Sequence, residues 1–132
     1  MPRISVAFLT VAALCGMAGM IWGGFMGATE NMTMAPAHAH LNLLGWVTLA
    51  IMGAVYALPA GPSANRLAWT NFVLSAGGVL IMIPMLAWLL PDPASRGPVI
   101  GPWFLLPEAM VFIGLLLFLV NIWRSRGRPA AA

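Results

Sequence analysis

The sequence predicts an all-α integral membrane protein, a single domain over residues 1–132 with four spanning helices in an up-down bundle and both termini in the cytoplasm. Three observations lead there. Hydrophobic residues make up 61% of the chain and charged residues 7%, at a mean hydropathy of +0.93, so too few charges exist to cover a soluble surface. Four apolar runs, separated by Pro- and Gly-rich breaks, are each long enough to cross a hydrocarbon core of ~30 Å. All six arginines lie outside those runs, so the net charge of +3 reports topology rather than affinity for nucleic acid, for which no basic patch with interleaved aromatics exists.

The first run, about residues 4–27, reads as a span. It is long for the core of a signal peptide, although Arg3 precedes it and Gly27-Ala28 closes it. Gly19, Gly23 and Gly27 recur every four residues, with Gly16 and Gly24 beside them, which leaves one face almost bare. Such a face suits close packing of another helix, or a flat cofactor. Cys15, the lone cysteine, has no intramolecular disulfide partner and reads as a small core residue.

After a link carrying Glu30, Asn31, Met32 and Met34, Pro36 suits the first turn of a second span at about 36–58, stopped by Pro59-Ala-Gly-Pro62. A short connection predicts an antiparallel hairpin into the third span, about 67–90, with Pro84 as a kink. Pro91-Asp92-Pro93 ends it. A loop over 94–101 leads to the fourth span, about 103–123, and an Arg-rich tail over 124–132.

In this arrangement Arg3, Arg66, Arg124, Arg126 and Arg128 share one side, whereas Glu30, Asp92, Glu108 and Arg96 share the other. The positive-inside bias puts the first group in the cytoplasm. Trp22, Trp69, Trp88, Trp103 and Trp123 fall near span ends as an interfacial belt; Trp46 lies deeper.

His38 and His40, the only histidines, open the second span near its outer end. Residues two apart on an α-helix are rotated by about 200°, so the rings point to nearly opposite sides and do not readily share one ion. They reach two different cofactors or two neighbours. That favours heme, whose iron is held by one axial ring on each face. An α-helical repeat continues the His38 face through Asn42, Gly45, Leu49, Met52 or Gly53, and Tyr56, where a porphyrin edge fits. Trp46 is expected to pack against whatever the histidines hold, and Asn42 to hydrogen-bond a neighbouring helix or orient a ligating ring. Two other readings stay open: interfacial histidines without a cofactor, and a soft copper(I) site formed with Met32 and Met34. Glu108 opens its helix where a carboxylate meets the favourable end of the dipole.

His38-Ala-His40, followed by Leu43 and by Ala50-Ile51-Met52-Gly53, resembles the heme-ligating helix of subunit I in the heme-copper oxidase superfamily. The likeness covers His38 to Pro59, about a sixth of the chain. In that family one histidine of the pair binds the high-spin heme and the other, pointing away, binds the low-spin heme. The resemblance implies heme b ligated by His38 and His40, with Arg96 available to the propionates. Non-covalent attachment follows from the lack of a Cys-x-x-Cys-His motif. The family's copper histidines are missing, because only two histidines exist, so oxygen reduction at a heme-copper centre is not expected. Its large subunit has three pseudo-equivalent groups of four spans. One such group here implies a homotrimer, favoured over a dimer, with each heme between His40 of one protomer and His38 of the next. The expected activity is one-electron transfer in a bacterial inner membrane, the histidines near the periplasmic face, with quinol or a periplasmic protein as redox partner. Heme or copper handling, sensing, or a structural role without cofactor are the alternatives.

Overall fold

The computed structural model describes residues 1–126, so the tail expected at 124–132 lies outside them beyond Arg126. Every regular element among the described residues is helical: α1 (Arg3–Thr29), α2 (Ala35–His40), a π-helix (Leu41–Thr48), α3 (Leu49–Ala57), α4 (Arg66–Leu89), α5 (Pro93–Ile100), a 3-10 turn (Gly101–Phe104) and α6 (Leu105–Ser125). Four continuous helical segments, Arg3–Thr29, Ala35–Ala57, Arg66–Leu89 and Pro93–Ser125, are long and apolar enough to cross a membrane.

The boundaries follow local chemistry. Asn65 caps α4, its Oδ1 accepting from the Ala68 N–H at 3.1 Å, and the helix then runs unbroken through Pro84. The expected loop at 94–101 is instead α5. Asp92 supplies an N-cap, its Oδ1 accepting from the Ser95 N–H, and Pro93 stands at the first turn where its missing donor costs nothing. The Ser95 hydroxyl donates to Asp92 Oδ2, and this bond together with the one from the Ser95 N–H holds the Asp92 carboxyl below the usual carboxylate range.

The most extensive packing joins α1 to the second span and α4 to α6. Consecutive spans are antiparallel: Ser5 Oγ donates to the Gly53 carbonyl at 2.8 Å, and the Ser63 N–H donates to Ser125 Oγ at 3.2 Å. Arg3, Arg66, Arg124 and Arg126 therefore share one end of the bundle, and Glu30, Asp92, Arg96 and Glu108 the other. The larger core cluster lies toward the arginine end, where Phe8 stacks on Tyr56 at 5.7 Å and meets Phe72 edge-on, while Phe118 closes the other side of Tyr56.

Tyr56 also ties three spans by polar contacts. Its hydroxyl accepts from Asn71 Nδ2 and Asn121 Nδ2, each at 3.3 Å, Ser75 Oγ donates to Asn71 Oδ1 at 2.9 Å, and Asn121 Nδ2 donates to the Ser63 carbonyl. Burial away from water requires such pairing, and among the described residues no buried side-chain polar atom lacks a partner. Ser75 fits because it lies against Gly114 of α6, where a Cβ would collide with its hydroxyl.

Candidate functional site

The site begins with a change of helical period. Ala37, Leu41, Gly45 and Leu49 are all buried at intervals of four. On an α-helix each four-residue step overshoots a turn by about 40°, so three steps drift by about 120° and the row leaves the core. The π-helix removes that drift, because its i→i+5 bonding takes more residues per turn. Thr48 Oγ1 follows the same offset, donating to the Leu43 carbonyl at 2.8 Å.

The wider turn redraws the expected His38 face. Trp46, not Gly45, continues the row from His38 and Asn42, and this row meets the glycines of α1 one for one. A Cβ on Gly23 would lie 2.9 Å from His38 Cε1, one on Gly19 would overlap the Asn42 amide, and one on Gly16 would lie 3.1 Å from the Trp46 ring. The glycine face of α1 is thus taken up by the second span, the packing alternative, at Gly16, Gly19 and Gly23; among the described residues nothing lies within 4 Å of a Cβ at Gly24 or Gly27. The lower positions expected to receive a porphyrin edge, Leu49, Met52, Gly53 and Tyr56, are core residues covered by other helices. Gly45 faces inward, with Cys15 Sγ at 3.0 Å and Val79 at 3.2 Å from its hypothetical Cβ, so helix packing accounts for its size. Trp46 rests on Gly16 with 45% of its surface exposed, in contact with its own chain.

His38 and His40 leave α2 toward different helices. His38 is half-buried beside Gly23 of α1. Asn42 Nδ2 donates to the His38 carbonyl at 3.0 Å and lies 3.3 Å from Nδ1 and 3.2 Å from Nε2 of its ring. A group nearly equidistant from both nitrogens lies along neither lone pair, so Asn42 steadies the ring without using up a ligating position.

His40 is exposed and turned to the α4 and α6 side, where it shares a cleft of about 290 Å³ with Leu44, Met82, Glu108, Val111, Phe112 and Leu115. Its Nδ1 lies 2.7 Å from the Pro36 carbonyl one turn earlier. A carbonyl only accepts, so Nδ1 carries the proton and the neutral ring keeps its one free lone pair on Nε2. Ligating imidazoles are characteristically oriented this way.

The other candidate residues stand apart from the pair. Arg96, on α5, donates from Nη1 to the Trp88 carbonyl at 2.6 Å and stacks over the Trp88 ring at 5.1 Å. Met32 and Met34 lie in the turn before α2, Met32 exposed and Met34 half-buried. No group of three or more His, Cys, Asp or Glu side chains converges among the described residues. The Tyr56, Asn71, Ser75 and Asn121 network went unforeseen, although Asn71 and Ser75 at i, i+4, with Asn121 near the end of the last span, are its polar signature. No protein-family model, curated protein or solved structure matches this chain.

Proposed function

We propose that this chain is a small membrane cytochrome that binds b-type heme through His38 and His40 and carries single electrons. The observation that carries the reading is the Nδ1 contact of His40 to the Pro36 carbonyl, which leaves Nε2 as a preset ligand. The half-buried His38, steadied by Asn42 on the α1 side, fits the same role. Because the two rings leave opposite sides of one helix, one iron is shared between chains, His40 of one protomer with His38 of the next, and three copies close the ring. An iron with both axial positions filled has no place for substrate and exchanges electrons.

Both termini lie in the cytoplasm, because the arginine-bearing end is the cytoplasmic one by the positive-inside bias, and the histidines then lie toward the outer face of a bacterial inner membrane. Quinol or a periplasmic electron-transfer protein is the partner. The test is the visible spectrum of protein purified from heme-sufficient cells. A sharp reduced α-band, lost in both His38→Ala and His40→Ala, is the expected result. Colourless protein that retains copper would transfer the histidines to a site with Met32 and Met34, and colourless, metal-free protein would make the chain a structural subunit.

A further inference from the structure

We propose that the groove between the second span and α6, at the arginine end, binds one anionic phospholipid, its phosphate on Arg126 and its acyl chain along the groove walls. The proposal rests on the membrane placement of the helices and is independent of the heme reading. Charge is the first observation. Arg3, Arg66, Arg124 and Arg126 gather at this end, whereas all three acidic side chains of the sequence, Glu30, Asp92 and Glu108, lie at the other. No side-chain carboxylate offsets the arginines at this end, which leaves a positive surplus that an anionic group would balance.

The groove is the second observation. About 230 Å³ in volume, it is walled by Val55, Leu58, Pro62 and Ile122, with Arg126 at its rim. The Arg126 guanidinium lies over the Trp123 ring at 4.6 Å. A guanidinium held over an aromatic ring still carries the planar fork of N–H donors that can make two parallel bonds to a phosphate. Free phosphate would leave the apolar walls unfilled, and a zwitterionic lipid would leave the positive surplus uncompensated. An anionic head on an apolar chain satisfies both.

The experiment is native mass spectrometry of the full chain in detergent, with equimolar phosphatidylglycerol and phosphatidylcholine of identical acyl chains. Phosphatidylglycerol should be retained in preference, and Arg126→Gln should lower that preference about fivefold, the effect of one surface cation on anionic-lipid binding. Arg96→Gln, at the opposite end, should leave it unchanged. Ile122→Trp fills the groove without altering charge and should lower retention of phosphatidylglycerol. Equal retention of the two lipids, equal effects of Arg126→Gln and Arg96→Gln, or displacement of the lipid by glycerol phosphate alone would overturn the proposal.

Discussion

The Pro36 carbonyl does for His40 what a carboxylate does in many metal sites: it holds the proton on Nδ1 and leaves Nε2 to bind. His38 depends on a different neighbour, the bare flank of α1 at Gly23, and the same close approach predicts which glycines tolerate a methyl. Gly19→Ala drives a Cβ into Asn42 and should destabilise the bundle by about 1–3 kcal/mol, the usual range for overpacking. Gly24→Ala meets nothing among the described residues and should leave the melting temperature in detergent unchanged. A similar loss in both variants would mean that Gly19 does not sit on Asn42. Tyr56→Phe removes the oxygen that accepts from Asn71 and Asn121. At roughly 0.6 kcal/mol for an average interhelical hydrogen bond in a membrane, the pair should cost about 1 kcal/mol in thermal unfolding. At this scale the histidines were legible, because two imidazoles at the head of an apolar run stand out. The Tyr56 network was not, because Asn71 and Asn121 are far apart in the chain and only the antiparallel packing of α4 on α6 brings them to one hydroxyl.

Among the elements, the π-helix over Leu41–Thr48 decides where the histidines point relative to the core. Deleting Val47, an exposed residue inside it, should return the segment to an α-helical repeat, and because eleven residues at about 100° each complete three turns with about 20° to spare, α2 should keep its facing against α3. His38 would then stay beside Gly23, and the deletion should leave heme retention in place; loss of heme in this variant would mean that the wide turn is needed for more than the direction in which the histidines point. That there are four long apolar helices was readable from length and hydropathy, but the fourth helical segment starts at Pro93, well before its expected start near residue 103. The π-turn was hidden because Gly45 and Trp46 are both compatible with an α-helical continuation, and only the glycines of α1 select Trp46. The helix at Pro93–Ile100 was missed for a related reason. Its Pro and Gly content reads as loop, yet Asp92-Pro93-Ala94-Ser95 is a capped first turn. The Asp92 carboxyl is held low in the folded state, so its cap contributes above the ordinary carboxylate pKa and is lost as pH falls through the depressed one. Hydrogen exchange at the Ser95 amide should accelerate over that acid window, relative to the intrinsic rate, and should be insensitive to pH changes above it.

For the whole molecule, antiparallel connection of four apolar helices brings the arginines to one end and the histidines toward the other. Charge placement made that polarity legible. The packing of α1 on the second span and α4 on α6 emerged only from the fit of glycines to side chains, which hydropathy does not record. With His38 on the α1 side and His40 on the α6 side, the proposed function has one chain supply one ligand to each of two irons, and a closed ring of three would satisfy every ligand. The measurement that tests this most directly is the mass of the intact assembly with its cofactor retained. Three chains and three hemes are expected; one heme per two chains, or a heme-bearing monomer, would contradict the shared-iron trimer.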